Sequence, residues 1–450
     1  MVTNTLRESR LKPGLQSAID GITVLNNYTA AVLTDKAVWQ ELLAFQADLF
    51  IVDAVAGLGF TLADKLGVPK AMVSVAGLLP PIDVDLYGLG ANNLAHVPQF
   101  NTEFTPFMTF WQRVQNTFAY AALMLVSRTV IAPLATSIWA DHNIAPYNVY
   151  DSMRNLSLVI ASEDFAVASA RPVSPHYKVV GPLTAKPARP LMGDLRDFMD
   201  SSEAYGVVYA SFGTTAVPEP HELQAVATAL SALAPIKAIW KLSKQDQELL
   251  RSHNIVPGPN VVVVEWVPQN DLLGHANLKA FLTQAGTNSQ LEALYHGIPF
   301  VGLPMMGEQA DNVAEAAFRG AAIKVSLHDS KHLAVNLEKA LRTLCQDPSY
   351  QRAARVVSHR MRAHRQSPAE IAADALEHAA WTNGSTYLRS GQNPLPWYKE
   401  CLLDVLGFLA LVVILAGVSV WMVCAAARRG IRFMLHRFWG APTSTERKVQ

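Results

Sequence analysis

The chain contains 450 residues, of which 50% are apolar, and its 37 basic and 37 acidic side chains give a formal net charge of zero. This composition excludes a disordered chain, and the length allows two domains with separate cores. Because no basic stripe lies outside the extreme C-terminus, nucleic acid is not expected as the main partner. Cys345, Cys401 and Cys424 have neither the paired spacing of a metal centre nor the number needed for a disulfide framework.

The first half of the chain predicts an α/β pattern interrupted by irregular stretches. Its first residues, "MVTNTLRESRLKPGLQ", lack the apolar core of a signal peptide. Further on, "ADLFIVDA" predicts a strand ending at Asp53, "GFTLADKLG" a helix closed by Gly67, and "VPKAMVSV" the next strand. Residues 80–150 are aromatic and proline-bearing, without clear periodicity. They could form the wall or lid of a ligand pocket, or ordinary packing helices.

The second half, from residue 205 onward, alternates short β-branched runs with helical stretches. A buried strand is predicted for "GVVYAS", and further strands for "AIWKL", "VVVVEW", "AFLTQ" and "FVGLP", whereas "HELQAVATALSAL" has apolar residues at helical spacing. This alternation predicts an α/β fold with a parallel sheet, whose ligands bind beyond the carboxyl ends of its strands. The proline-bearing segment 169–190 predicts a boundary between two domains, residues 1–180 and 181–398.

An uncharged apolar run near the C-terminus, residues 405–427, is long enough to cross a hydrocarbon layer of about 30 Å as a transmembrane helix. Four arginines follow this run: Arg428, Arg429, Arg432 and Arg437. The positive-inside rule therefore predicts a cytosolic basic tail at residues 428–450 and a lumenal or extracellular remainder on a single-pass membrane protein. Three glycosylation triplets, which agree with that side but also arise by chance, begin at Asn27, Asn155 and Asn383.

The stretch "AFLTQAGTNSQLEALYHG" predicts a strand, a turn of small residues, and a helix ended by Gly297. Backbone N–H groups at the start of such a helix, aided by the helix dipole, form a site for phosphate oxygens. Gly286 allows a ligand to approach closely, and Asn288 and Ser289 add side-chain donors. The turn is neither a P-loop nor a dinucleotide fingerprint, and an ordinary tight turn is the alternative interpretation.

Five residues around this turn match the parts of a nucleotide that carries a sugar. Trp266 offers a flat face to a nucleobase, and Gln269 can pair with a base edge or a ribose. Glu292 could accept hydrogen bonds from two vicinal hydroxyls, and Glu308 with Gln309 could bind a polyhydroxylated group. For Trp266 alone a core aromatic is the alternative, but the ordered set favours a binding site.

The segment from Trp266 to Gln309 resembles the signature of the UDP-glycosyltransferases, which reads W-x-P-Q, then H-x-G-x-x-S-x-x-E, then G-V-P and D-Q. The similarity extends to "VVYASFGT" and to "ADLFIVDAVAGLGFTLADKLGVP". With its basic tail, "WYKECLLDVLGFLALVV" resembles the membrane anchor of the endoplasmic-reticulum UDP-glucuronosyltransferases. The resemblance implies the GT-B fold, with two Rossmann-like domains. Residues 1–180 would bind the acceptor as an incomplete N-terminal domain, and residues 181–398 would bind the UDP-sugar.

The resemblance also implies a function, which is the inverting transfer of a glucuronosyl or glucosyl group to a hydroxyl of a small lipophilic acceptor. UDP-glucuronate or UDP-glucose would be the co-substrate, and neither a metal nor a cofactor is expected. Such a hexosyltransferase would be anchored in the lipid bilayer of the endoplasmic reticulum. It could also form homo- or hetero-oligomers.

Carried over by position, the resemblance assigns each part of the donor to residues of the second half. Trp266 would stack on uracil, Gln269 would contact the nucleoside, and Glu292 would bind the ribose hydroxyls. The residues expected near the diphosphate are Ser211, Gly213, Gln284, Gly286, Asn288 and Ser289. Glu308 and Gln309 would bind the transferred sugar.

Two positions depart from the family's pattern. Gln284 stands where a His usually contacts the diphosphate. Both side chains can donate a hydrogen bond, but the charge of an imidazolium is lost, so donor binding is expected to weaken by roughly 1 kcal/mol. Glu308 stands where an Asp usually precedes the final Gln, and its extra methylene could shift the choice of sugar or lower the rate.

Inverting transfer needs a base beside the acceptor hydroxyl, and imidazole suits neutral pH. In the family this base is a His in the first strand-to-helix loop, oriented by an Asp at the position of Asp53. A loop-capping Asp is the alternative for Asp53. The first His of this chain, His96, comes too late to match. Two interpretations remain: an enzyme whose given chain begins after the catalytic His and the signal peptide, or an inactive donor-binding partner of active relatives.

Overall fold

The structure of the chain is a computed structural model. It describes residues 23–24, 27, 30–32, 34–54, 59–75, 77, 93–131, 133–134, 136–137, 149–202, 204–213, 218–388, 397–400 and 402–439. Some predicted features lie outside the described residues: the N-terminal stretch, parts of residues 80–150, Cys401, and the end of the basic tail from residue 440 onward.

The chain divides into two compact units, residues 1–390 and 391–450, and the first unit contains two parallel sheets. The strands of the first sheet are β1 (Phe50–Asp53), β2 (Lys70–Ser74), β3 (Leu158–Ala161) and β4 (Tyr177–Val179), in the order β1-β2-β3-β4. The strands of the second sheet are β5 (Val207–Ser211), β6 (Lys237–Lys241), β7 (Val261–Val264), β8 (Leu278–Thr283), β9 (Phe300–Gly302) and β10 (Ala322–Lys324). Their order is β10-β9-β8-β5-β6-β7. The predicted α/β class with parallel sheets is confirmed.

Helices surround both sheets of the first unit. In chain order they are α1 (Lys36–Phe45), α2 (Gly59–Leu66), α3 (Phe110–Val126), α4 (Val149–Arg154), α5 (Gly193–Asp200), α6 (Pro220–Ala232), α7 (Lys244–Ser252), α8 (Gln269–Leu273), α9 (Thr287–Tyr295), α10 (Gln309–Phe318), α11 (Leu333–Gln346), α12 (Pro348–Met361) and α13 (Pro368–Trp381). Gly67 and Gly297 follow α2 and α9 with φ of +68° and +71°, the left-handed conformation that ends helices. Both glycines were predicted as helix ends.

The larger core lies on the two faces of the second sheet. Every residue of β5 in this sheet is buried. Tyr209 of β5 stacks on Phe281 of β8, with ring centroids 4.9 Å apart. The core of the first sheet receives part of its cover from a distant part of the chain. Ala372 and Ala379 of α13 pack against Ala71 and other buried residues of β2 and β3. The helix that closes this core therefore lies beyond the second sheet in sequence.

The strand order of the second sheet creates a crevice between β5 and β8. From β5 the chain continues to β6 and β7 on one side, whereas β8 leads to β9 and β10 on the other side. Ser211, the last residue of β5, lies beside Thr283, the last residue of β8. A reversal of this kind separates the two following loops and opens a ligand crevice at the carboxyl ends of the strands.

Contacts between distant segments hold the chain after the first two strands against the second sheet. The Asp311 carboxylate on α10 accepts hydrogen bonds from the backbone N–H groups of Asn101, at 2.6 Å, and Glu103, at 2.9 Å. The Glu103 carboxylate forms an ion pair with Lys324 of β10. Asp311 of α10 therefore anchors the segment that leads into α3.

The second unit consists of two helices among its described residues, α14 (Trp397–Glu400) and α15 (Leu403–Trp439). Helix α15 has 37 residues, contains an 18-residue window with a mean hydropathy of 2.6, and buries none of that window. By length and composition it could cross a membrane. The predicted span 405–427 lies within α15, but the helix continues through the following arginines. At 1.5 Å per residue α15 is about 55 Å long, so only its apolar part is needed to span the hydrocarbon.

A buried ion pair in the first sheet generates a prediction about stability. The ammonium of Lys70, whose side chain is 2% exposed, lies 2.6 Å from an Asp64 carboxylate oxygen and 2.6 Å from the Ser152 hydroxyl. In Asp64→Ala the buried cation loses its counter-charge, so we expect the free energy of unfolding to fall by about 3 kcal/mol in chemical denaturation. The matched control is Asp197→Ala, whose pair with Arg196 is exposed and screened by solvent, so its loss should change stability far less. Equal losses in both variants would contradict the prediction.

Candidate functional site

The turn between β8 and α9 is held by side chains on both sides. Ala285 adopts a left-handed backbone with φ of +65°, a conformation that costs a non-glycine residue about 1 kcal/mol. Its N–H donates to the Thr283 hydroxyl at 3.2 Å, and its carbonyl accepts from the Asn312 amide at 2.9 Å. Gly286 is the N-cap residue of α9 and has no side chain to bind the first N–H groups. The first N–H groups of this helix therefore need partners from outside the turn.

The amide of Gln284 is oriented by its neighbour. The Thr283 hydroxyl donates to Gln284 Oε1 at 2.9 Å, so Gln284 Nε2 points to the opposite side. A Cβ added to Gly213 would lie 2.5 Å from Nε2, and one added to Gly286 would lie 3.2 Å from it. Within the part of the chain that the structure describes, Nε2 has no hydrogen-bond acceptor. Gln284, which departs from the UDP-glycosyltransferase signature, therefore places an N–H donor between Gly213 and Gly286.

Three further residues predicted near the diphosphate lie at the end of β5 or in the first turn of α9. Ser211 is buried at the end of β5, next to β8. Asn288 and Ser289 lie in the first turn of α9, and Asn288 Oδ1 is buried without a hydrogen-bond partner among the described residues. Buried polar atoms normally have a hydrogen-bond partner, so a bound ligand is expected to donate a hydrogen bond to this oxygen. The predicted diphosphate residues are brought together, although their contact with a diphosphate stays a prediction.

A hydrogen-bond network connects the residues predicted to bind the nucleoside. Gln269 Nε2 donates to Glu292 Oε2 at 2.9 Å and to the Ser289 hydroxyl at 3.3 Å. Gln269 Oε1 accepts from the Tyr209 hydroxyl at 3.1 Å. Burial raises the pKa of Glu292, while its hydrogen bond from Gln269 favours the carboxylate. Gln269 therefore orients Glu292, and Tyr209, which sequence analysis missed, orients Gln269.

Trp266 lies just after β7 and is 70% exposed. The alternative interpretation of this residue as a core aromatic is therefore wrong. An exposed indole at the carboxyl end of a strand offers an apolar face on which a nucleobase can stack.

The two residues predicted to bind the sugar begin α10. Gln309 Oε1 accepts from the backbone N–H groups of Met305 and Met306, at 2.8 and 3.0 Å, so its carbonyl already holds the preceding loop. Glu308 accepts hydrogen bonds from Thr287, the first residue of α9, and burial raises the pKa of Glu308. The Glu308 carboxyl group therefore caps the start of α9 in this structure.

The carboxyl edge of the first sheet faces the start of α9. A Cβ added to Gly77, which follows β2, would lie 2.9 Å from Glu163 Oε2 and 2.9 Å from Thr287 Cγ2. Glu163 follows β3, is 5% exposed and was missed by sequence analysis, where the only signal was an acidic pair after a strand. Asp53 lies at the same edge, at the exposed end of β1. One strand, β2, lies between β1 and β3, so these two strands are about 10 Å apart. The catalytic role of Asp53 stays a prediction.

Comparison with solved structures identifies the class of fold. The crystal structure of Os79 from O. sativa in complex with UDP aligns with a TM-score of 0.54 at 17% identity, over 82% of this chain and 84% of that chain. The spinosyn forosaminyltransferase SpnP aligns with a TM-score of 0.53 at 17% identity, over 78% of this chain and 81% of that chain. The two parallel sheets form a GT-B glycosyltransferase fold, as predicted.

Sequence comparison identifies the family. The family model for UDP-glucoronosyl and UDP-glucosyl transferase matches residues 2–436, so the chain belongs to this family. The 2-hydroxyacylsphingosine 1-beta-galactosyltransferase of Rattus norvegicus is 31% identical over 415 residues, covering 91% of this chain and 73% of the relative. UDP-glucuronosyltransferase 2A2 of Homo sapiens is 31% identical over 385 residues, covering 84% of this chain and 68% of the relative.

The close approach of Gly213 to Gln284 generates a prediction about donor binding. In Gly213→Ala the new Cβ would displace Gln284 Nε2, so we expect UDP affinity to fall at least tenfold, about 1.4 kcal/mol, in isothermal titration calorimetry. The matched control is Gly67→Ala, because Gly67 has a similar φ of +68° but nothing within 4 Å of its added Cβ. This control should lose stability without losing UDP affinity. The same loss of affinity in both variants would show that the contact with Gln284 is irrelevant.

Proposed function

We propose that this chain transfers a hexosyl group from a UDP-sugar to a hydroxyl of a small lipophilic acceptor, with inversion and without a metal ion. The observation that carries the proposal is the Gln284 amide, which is held between Gly213 and Gly286 at the start of α9. A donor in this position, together with the N–H groups of the helix, suits a diphosphate. Asp53, on the facing sheet, is proposed to orient the catalytic base.

The lipophilic character of the proposed acceptor is supported by the segment that enters α3. Phe107, Trp111 and Phe118 are all more than 70% exposed. Phe107 also contacts Phe318 of α10, with ring centroids 5.8 Å apart, so this apolar surface adjoins the helix that begins at Glu308 and Gln309. The relative from Rattus norvegicus is named for an acceptor with a lipid chain, a 2-hydroxyacylsphingosine.

The sugar is proposed to be a neutral hexose, glucose or galactose, rather than glucuronate. The charged neighbour that acts on Glu308 is Asp311, another carboxylate, and both groups have a pKa raised by burial. A glucuronate carboxylate placed beside Glu308 would meet like charge in a partly desolvated site.

The function is tested by turnover of the membrane-bound protein with a panel of lipophilic alcohols and three donors: UDP-glucose, UDP-galactose and UDP-glucuronate. We expect kcat/KM for a neutral donor to exceed that for UDP-glucuronate by at least tenfold. Glu308→Gln should raise kcat/KM for UDP-glucuronate relative to the neutral donors, because it removes the repelling charge. Asp194→Asn, which removes an exposed carboxylate from the start of α5, is the control and should change neither ratio.

Two outcomes would contradict parts of this proposal. A preference of the unaltered protein for UDP-glucuronate would overturn the neutral sugar but not the transfer itself. Tight binding of UDP with no turnover of any donor would favour the alternative function, an inactive donor-binding partner of active relatives. Absence of UDP binding would overturn both functions.

The chain is further proposed to be a single-pass protein of the endoplasmic reticulum, with its catalytic part in the lumen. Two of the predicted glycan acceptors, Asn155 and Asn383, are exposed. We expect a glycosidase to increase the gel mobility of the cellular protein, and Asn155→Gln and Asn383→Gln each to remove part of that change. Asn254→Gln, at an exposed position outside any sequon, is the control. No change on glycosidase treatment would contradict the lumenal placement.

A further inference from the structure

Glu163 is a buried carboxyl group at the cleft that the proposed reaction does not yet use. Its backbone carbonyl accepts from the Gly181 N–H at 2.9 Å, and its Oε1 accepts from the Asp164 N–H at 3.0 Å. These bonds fix the residue just beyond the end of β3. They leave Oε2 as the carboxyl oxygen directed toward the opposite side of the cleft.

The space between Glu163 and the start of α9 admits only a glycine. Glu163 Oε2 and Thr287 Cγ2 each lie 2.9 Å from the point that a Cβ of Gly77 would occupy. Gly77 itself has a φ of +99°, which suits glycine. The carboxyl group is therefore separated from the first turn of α9 by one backbone segment. An anion bound at that turn would lie close to it.

The groups around Glu163 favour its neutral form. Burial is the largest cause and raises its pKa to about 8. Asp164 and Glu315 raise this pKa further, whereas Arg171 and the hydrogen bond from the Asp164 N–H lower it. His364 lies 4.0 Å from the Asp164 carboxylate. From α9 the facing residue is Thr287, which carries no charge.

We propose that Glu163 is a positioning residue of the donor site that carries a proton while the diphosphate is bound at the start of α9. This inference rests on the proposed function. As a neutral acid, Glu163 can lie beside Gly77 and Thr287 without repelling the phosphates of the bound diphosphate. As a carboxylate, it repels them through a poorly solvated region.

The coupling between UDP binding and protonation of Glu163 has a definite direction. The bound diphosphate adds negative charge near Glu163 and raises its pKa above the value in the free protein. Binding therefore takes up a proton from solvent onto Glu163 in the range around and above pH 8, and affinity falls as the pH rises through that range. Near pH 6, Glu163 is neutral in both states and contributes nothing to the pH dependence.

The experiment is calorimetric titration of UDP into the full chain in detergent, at one-unit steps from pH 6 to pH 9, in two buffers of different ionisation enthalpy. We expect the unaltered protein to take up a measurable fraction of a proton per UDP at pH 8 through Glu163. Glu163→Gln, an isostere of the neutral acid, should lose this uptake and keep its pH 6 affinity within twofold. The unaltered protein should also bind UDP about tenfold more weakly at pH 9 than at pH 7, and the variant should not.

Other buried carboxyl groups near the site, Glu292, Glu308, Asp311 and Glu315, also have raised pKa values, so the difference between protein and variant is the decisive quantity. Asp194→Asn is the control and should leave the uptake unchanged. Equal proton uptake in the unaltered protein and Glu163→Gln would overturn the inference, as would absence of uptake by the unaltered protein between pH 7.5 and pH 9. Loss of UDP affinity by Glu163→Gln at pH 6 would also overturn it. Failure of the unaltered protein to bind UDP would instead overturn the proposed function.

Discussion

The site depends on the close approach of two backbone turns at the centre of the second sheet. Because β5 and β8 are neighbours, the turn through Gly213 and the turn through Gly286 meet at one point. The Gln284 amide occupies the space between them, and the Thr283 hydroxyl decides which end of that amide faces the crevice. A side chain on Gly213 would collide with the amide. The strained backbone of Ala285, held by Asn312, completes this arrangement, as expected of a functional turn.

The same helix that carries the sugar-binding candidates also fixes the position of the facing sheet. Helix α10 begins next to Glu308, and one turn later its Asp311 binds the backbone of Asn101 and Glu103. Further along, Glu315 accepts a hydrogen bond from Ser169, and Arg319 donates to the carbonyls of residues 167 and 168. Movement of the first sheet therefore has to be accompanied by changes along α10. This coupling gives a physical reason for a change at one sheet to affect the other.

Sequence patterns predicted the strands and the helix ends because those depend on local features: β-branched runs, capping residues and Gly67 or Gly297 at a left-handed position. The turn at Gln284 was predictable for the same reason. The roles of Glu163, Tyr209 and Asp311 were not predictable, because each depends on a partner far away in sequence. Asp311, for example, binds residues 208 and 210 positions away. Nor could periodicity show that α13 covers the first sheet, since its apolar face fits any core.

The most direct test of the central claim is an experimental structure of the chain bound to UDP. The account predicts the diphosphate at the start of α9, with a phosphate oxygen within about 3 Å of Gln284 Nε2 and of the first N–H groups of the helix. It also predicts the uracil ring stacked on Trp266. A diphosphate bound elsewhere, or one that leaves Gln284 pointing away from it, would contradict the claim that this turn is the donor site.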